Sequence, residues 1–281
     1  MMLYCYFRLL RPRQWLKNLM IYFPPFLSGA LQHPGMLSRG ILPLIAFCCA
    51  SSASYILNDL CDVENDTHHP KKRTRPIASG EVSRNHAIVF LIVLLILAGF
   101  LSWSISPLFL GYVLLYLSIT FTYSFKLKQL PIFDVFSISF GFVLRLYSGG
   151  EVFDVYVSDW LFLSVFLLSL FLSIGKRCGE QKILGDAAPS HRSALAHYPD
   201  GFLESAMYLT GAAVLITYAM YAISTPLLVY SVPLCVFGLL RYLLNVKSGG
   251  RGEPVDALLK DPVLFMVGFL WVVMVGLSVY Q

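Results

Sequence analysis

Residues 58–76, NDLCDVENDTHHPKKRTRP, crowd four carboxylates and four cations directly after the almost wholly apolar run ILPLIAFCCASSASYIL. On a helix Asp59, Asp62 and Asp66 fall at i, i+3 and i+7, so their carboxylates share one face. Asn58, four residues before Asp62, can add an amide oxygen. Three carboxylates on one stripe repel each other unless a cation neutralises them. Oxygen-only ligands of this kind suit Mg²⁺, and Mn²⁺ as well, with substrate phosphates completing the shell. Lys71, Lys72, Arg73 and Arg75 follow at once. A metal–carboxylate site beside such cations is a way to hold a polyphosphate, the cations taking charge the metal leaves. The plainer reading is a solvated helix end and a basic cytoplasmic loop drawn to anionic lipid. Arg73 and Arg75 fit either reading, whereas Lys71 and Lys72 fit the second better.

Further polar residues stand inside or at the ends of apolar runs. Asp134 and Arg145 are eleven residues apart, about three helical turns, and share a face with Ser137 and Gly141 between them. Three turns span about 16 Å, too far for a direct pair, so each should meet a ligand or another helix. An arginine within a span is costly and usually faces a polar cavity or a partner. In YSFKLK, Tyr123 and Lys126 stand at i, i+3 where they could reach a phosphate, and Tyr123 would serve equally as an interfacial aromatic. Arg13 and Lys17, at i, i+4 with Trp15 beside them, either hold a lipid phosphate or anchor the chain at the interface. The six histidines form no ligand set. The six cysteines show neither metal nor disulfide spacing and read as apolar packing.

The elements that must position these residues follow from composition. The chain has 281 residues, 57% hydrophobic and 13% charged, about half the charge of a soluble domain. Long, continuous apolar runs predict membrane-spanning helices, since a backbone in lipid must satisfy its own hydrogen bonds. Nine spans can be drawn in a single domain, 1–281: about 15–31, 40–61, 86–104, 107–124, 132–150, 158–177, 202–222, 226–245 and 262–280. Pro24 and Pro25 should break or kink the first. The opening MMLYCYFRLLRPRQW is interrupted by Arg8, Arg11 and Arg13 and does not read as a secretory leader. On these spans 19 of the 21 Lys and Arg fall on one side, Arg39 on the other and Arg145 inside. The excess of basic residues predicts a cytoplasmic N-terminus, an outer C-terminus and a multi-pass place in the cell (inner) membrane. The net charge of +5 then describes a cytoplasmic face and no nucleic-acid surface.

NDLCDVEND resembles the NDxxDxxxD motif of the UbiA superfamily of intramembrane prenyltransferases, and the likeness extends over the whole chain. The resemblance implies an all-α bundle of nine transmembrane helices around a lipid-accessible cavity, with Asp59, Asp62 and Asp66 on Mg²⁺. Usual members carry a second aspartate-rich motif after the sixth span, which helps a second Mg²⁺ bind the diphosphate of a prenyl donor. Here that place reads SIGKRCGEQK, with Lys176, Arg177 and Glu180 and no aspartate pair. RPRQWLKN at 11–18, HPKKRTRPIASG at 69–80, YSFKLK at 123–128, DVFSISFGFVLRLYSGG at 134–150, GKRCGE at 175–180 and EPVDALLKDP at 253–262 are similar to one branch, the decaprenyl-phosphate phosphoribosyltransferases. That likeness implies transfer of 5-phosphoribose from 5-phosphoribosyl diphosphate to a long polyprenyl phosphate, with release of pyrophosphate. It also implies a catalytic set of Asp59, Asp62, Lys126 and Asp134. Lys126, Lys176 or Arg177 would meet the departing pyrophosphate, and the product would be a lipid-linked pentose for cell-envelope polysaccharide. One alternative is a prenyltransferase acting on an aromatic acceptor, which needs the missing second motif. Another is a transporter, which would show internal repeats and charge at the midplane; no second copy of the stripe occurs. Small-residue faces such as GFVLRLYSGG would let helices pack into a homo-oligomer.

Overall fold

Uninterrupted apolar sequence becomes helix throughout the computed structural model, which describes residues 2–68, 72–184, 193–225, 227–250 and 252–280. Lys71, His69, His191, Arg192 and Arg251 lie outside the described residues. In chain order come α1 (Met2–Leu10), a 3-10 helix (Pro12–Tyr22), α2 (Phe23–Leu27), α3 (Met36–Arg39), α4 (Ile41–Cys61) and α5 (Val63–His68). Then follow α6 (Arg84–Ile105), α7 (Pro107–Phe125), α8 (Phe133–Phe153), α9 (Asp159–Leu184) and α10 (Ser193–Ala196). The chain closes with α11 (Phe202–Ile223), α12 (Val232–Lys247), α13 (Pro254–Lys260) and α14 (Pro262–Tyr280). No strand occurs among the described residues.

Among the described residues seven helices are long and apolar enough to cross a membrane: Met36–Cys61, Arg84–Ile105, Pro107–Phe125, Asp159–Ile183, Phe202–Ile223, Leu228–Lys247 and Pro262–Tyr280. They coincide with seven of the nine expected spans. The stretch expected at 132–150 is helical as α8, but it carries Asp134, Arg145 and Glu151 and is less apolar than the others. The stretch expected at 15–31 is not one helix. It is a long 3-10 helix followed by α2, with Pro24 and Pro25 in the first turn of α2, where a missing N–H breaks no helical bond. On α6, Phe100 and Trp103 are 69% and 68% exposed beside the equally outward Ile96. Water-facing surfaces rarely carry such contiguous apolar groups, so this face meets lipid.

The helices fall into two compact units. The first holds Met1–Pro24, His33–Lys128 and Leu144–Val155. There α4 packs against α6, α7, α1 and the 3-10 helix, with Phe47 fully buried and edge-on to Phe109 at 5.7 Å. Ser106 both ends α6 and starts α7: its extended backbone (φ −162°) stops the first helix. Its Oγ accepts from the Phe109 N–H at 3.0 Å and donates to Glu151 Oε1 at 2.9 Å.

The second unit holds Pro25–Gln32, Gln129–Val143 and Tyr156–Gln281. In it α9 packs along α11, and α12 against α14. Its core is built on Leu170, Phe171, Ile174, Leu203, Met207 and Tyr242. The hydroxyl of Tyr242 donates to the Gly252 carbonyl at 2.6 Å, tying the segment before α13 to this core.

Candidate active site

The acidic stripe lies in the first unit. α4 ends at Cys61, and Asp62 leaves the helical region (φ −102°, ψ 8°) before α5 begins. The i→i−4 bonds nonetheless run through, Asp62 N to Asn58 O at 3.0 Å and Asp66 N to Asp62 O at 2.8 Å. The turn is kinked and the stripe survives it. Asp59 and Asp66 are buried, 3% and 1% exposed, and both accept from one atom. Arg75 Nη1 donates to Asp59 Oδ1 at 2.9 Å and to Asp66 Oδ2 at 2.5 Å. Arg11 Nη2 adds a 2.5 Å bond to Asp59 Oδ1, and Lys72 Nζ stands 3.9 Å from Asp66 Oδ1. Asp62 is held separately: Asn58 Nδ2 donates to its Oδ2 at 3.1 Å and Lys128 Nζ to its Oδ1 at 2.5 Å. Burial pushes the Asp66 carboxyl above its ordinary range, while the charges of Arg75 and Lys72 pull it back and Asp59 adds to the rise.

The three carboxylates therefore do not gather into one set: among the described residues no three His, Cys, Asp or Glu side chains form a group that could hold a metal. The expected joint Asp59–Asp62–Asp66 set is not assembled in this arrangement. The physical reason is that the chain's own cations neutralise the stripe, Arg11 and Arg75 on one side and Lys128 on the other. Asp59 and Asp66 still fit a hard divalent cation. Their oxygens converge on a single point, and Mg²⁺ commonly takes one or two carboxylates and fills its shell with phosphate and water.

Other residues singled out in the sequence divide by burial. Arg145 is buried in the first unit, where Nε donates to Asn18 Oδ1 at 2.7 Å and Nη2 to the Tyr116 hydroxyl at 3.1 Å. Its guanidinium lies 4.5 Å from the Tyr116 ring centre and 5.7 Å from that of Phe47. Arg13, Arg73 and Lys126 are exposed, and Lys17 and Tyr123 are half-buried. Lys126 caps the C-terminus of α7, and it is Lys128, two residues on, that reaches the stripe.

In the second unit Asp134 and Arg177 are sealed from solvent and bound to each other, Arg177 Nε to Asp134 Oδ2 at 2.6 Å. The Tyr198 hydroxyl donates to Asp134 Oδ1 at 2.7 Å and accepts from the Ile132 N–H at 2.6 Å. Burial pushes that hydroxyl's pKa well up. Arg177 also reaches Glu180 at 2.8 Å, and Lys176 forms an ion pair with Glu253. Asp134 thus meets another helix, as its distance from Arg145 required, and the partner is Arg177. Sequence reasoning missed Arg11, Lys128 and Tyr198 as parts of these clusters. The quoted motifs RPRQWLKN and YSFKLK contain the first two, but nothing in the spacing selects them, and Tyr198 lies 64 residues from Asp134.

Lipid-facing helices and a half-buried lattice of carboxylates and cations at the end of one of them define a membrane-embedded protein with a charged cluster at a helix end. The UbiA prenyltransferase family profile matches residues 21–273, and the chain belongs to that family and is an integral membrane protein. It is 32% identical over 282 residues to a Mycobacterium tuberculosis protein named decaprenyl-phosphate phosphoribosyltransferase, covering 96% of this chain and 92% of that one. A protein of the same name from Mycolicibacterium smegmatis is 30% identical over 288 residues, covering 96% and 91%. The fold matches that of a UbiA homologue from Archaeoglobus fulgidus, bound in its structure to GPP and Mg²⁺. The TM-score is 0.76 and the identity 21%, over 99% of this chain and 100% of that one.

Proposed function

We propose that the chain transfers 5-phosphoribose from 5-phosphoribosyl diphosphate to a long-chain polyprenyl phosphate of the decaprenyl type, with release of pyrophosphate. The observation that carries this reading is the balance of charge. The single acidic stripe, Asp59, Asp62 and Asp66, is covered by Arg11, Arg75 and Lys128. A site so rich in cations suits two anionic substrates, a diphosphate donor and a phosphate acceptor. The name borne by the relatives of similar length supports the same assignment.

In this reaction an oxygen of the polyprenyl phosphate bonds to the anomeric carbon as the bond from that carbon to the diphosphate oxygen breaks, and pyrophosphate leaves with the electron pair. A phosphate monoester is already largely ionised near neutral pH, its second pKa being about 6, so no strong base is needed. Asp59 and Asp66 would hold Mg²⁺, or Mn²⁺ in its place, with Asp62 and Asn58 beside them. The ion when bound neutralises charge building on the leaving diphosphate. Arg75, Arg11 and Lys128 lie within reach of the same carboxylates and supply further positive charge to phosphate oxygens. Arg73 and Lys126, exposed at its edge, and the half-buried Tyr123 add donors for the phosphoribosyl substrate. Arg13 and Lys17 on the 3-10 helix take the lipid phosphate at the cytoplasmic face.

The test uses purified protein in lipid nanodiscs with ribose-labelled phosphoribosyl diphosphate and a long polyprenyl phosphate. Label should enter the organic phase with Mg²⁺ and stay in water with excess EDTA. No transfer, alongside prenylation of an aromatic acid from polyprenyl diphosphate, would replace this reading with that of a prenyltransferase.

A further inference from the structure

The 3-10 helix Pro12–Tyr22 has eleven residues, whereas such helices rarely run beyond three or four. Tertiary contacts in the first unit must therefore hold it. Trp15 Nε1 donates to Ser52 Oγ at 3.0 Å, and Asn18 Nδ2 donates to Ser51 Oγ at 3.2 Å, both on α4. The other side is gripped by α8. Arg145 Nε donates to Asn18 Oδ1 at 2.7 Å. One turn further along α8, Gly149 lets the backbone of Ile21 approach so closely that a Cβ there would lie 2.1 Å from its carbonyl oxygen. The two grips are in register for the rise of a 3-10 helix. Arg145 to Gly149 is four α-helical residues, a rise of about 6 Å, and Asn18 to Ile21 is three 3-10 residues, also about 6 Å. At the head of this segment Arg11, in the left-handed region (φ 52°), turns back onto Asp59.

We infer that Arg145, acting through Asn18, is a positioning residue that fixes the register of the 3-10 helix and so seats Arg11 on the catalytic carboxylate Asp59. The inference deepens the proposed transfer reaction and rests on it for its kinetic consequence. In this role Arg145 acts on the seating of Arg11, the residue at the head of the segment it clasps.

The experiment is a double-mutant cycle for transfer, paired with hydrogen–deuterium exchange of residues 12–22 in nanodiscs. Arg145→Met and, as the milder change, Asn18→Ser should each lower kcat/KM by about tenfold or more, up to the roughly hundredfold that a 1 Å misplacement can cost. In an Arg11→Gln background the same changes should cost less than about twofold, because the residue they act through is gone. Exchange over 12–22 should quicken in both variants. Arg145→Lys should not rescue, since an ammonium cannot span Asn18 and Tyr116 as the planar guanidinium does. Equal losses in both backgrounds, or full rescue by lysine, would overturn the inference. Should Arg145→Met fail to fold, Asn18→Ser decides alone. If the native protein transfers nothing, the proposed reaction falls, and unchanged exchange over 12–22 in Asn18→Ser would sink the clasp separately.

Discussion

Lys128 meets Asp62 where both side chains keep some solvent contact, 16% and 18% exposed, whereas Arg177 and Asp134 are closed off at 1% and 0%. An ion pair that water still reaches is worth little and opens easily, so in the proposed site Lys128 can leave Asp62 for a phosphate. A sealed pair cannot part in this way, because separating it strands a charge away from water. Arg177→Ala should therefore destabilise the protein by about 3–5 kcal/mol, read as a large fall in melting temperature in detergent; a native-like melting curve would contradict the structural role given to this pair. Asp62→Ala should do the reverse, abolishing phosphoribosyl transfer while melting stays near native. Full activity in that variant would remove Asp62 from the site. Lys128→Ala should lower kcat/KM more than Lys126→Ala, and an equal loss would mean that contact with Asp62 is not what matters. At this scale the carboxylates were legible because helical spacing fixes which of them share a face. Their cations were not, because any basic loop residue satisfies the sequence pattern and only tertiary geometry separates Lys128 from Lys126 or Arg75 from Arg73.

Elements were legible wherever apolarity was continuous, since a lipid-facing backbone has few alternatives to helix. α6 and α14 carry no signal other than their uninterrupted apolar residues, and it sufficed. The first expected span was not legible as a 3-10 helix. Its form depends on Asn18, Arg145 and Gly149, the first of which stands more than a hundred residues from the other two in sequence. Close approach between segments raises the same difficulty in the second unit, where Gly252 precedes α13. Its φ is +65°, and a Cβ there would lie 2.2 Å from the carbonyl oxygen of Gly175 on α9. Backbone cannot move aside as a flexible side chain can, and the left-handed conformation adds strain for any L side chain. Gly252→Ala should thus lower stability by about 1–3 kcal/mol, the usual cost of overpacking. Gly249→Ala shares the positive φ but meets nothing within 4 Å and should cost less. Thermal melts of the two variants side by side separate the clash from the strain; equal shifts would leave strain as the whole effect.

For the whole molecule, the number of crossings and the side of the C-terminus are one question. Seven helices qualify by length and apolarity among the described residues. α8 would make an eighth, its Arg145 sheltered by Asn18 and Tyr116. The 3-10 helix and α2 together would make the ninth. Eight crossings leave both termini on one side, and nine place them on opposite sides. The distribution of basic residues favours nine, with the N-terminus cytoplasmic, because 19 of 21 Lys and Arg then share the cytoplasmic side with the acidic stripe. Alkaline phosphatase, active only outside the cytoplasm, should therefore be active when fused after Gln281, and a fluorescent protein fused at the same point should stay dark. A fusion after Lys128 should give the opposite pair of signals. A dark phosphatase at both points would mean that α8 does not cross. With the N-terminus cytoplasmic, a dark phosphatase at Gln281 and an active one after Lys128 would instead mean that Pro12–Leu27 lies along the membrane surface. Arg13 and Lys17 would then sit on a surface segment rather than at the entrance of a span, and their assignment to the lipid phosphate would have to be abandoned.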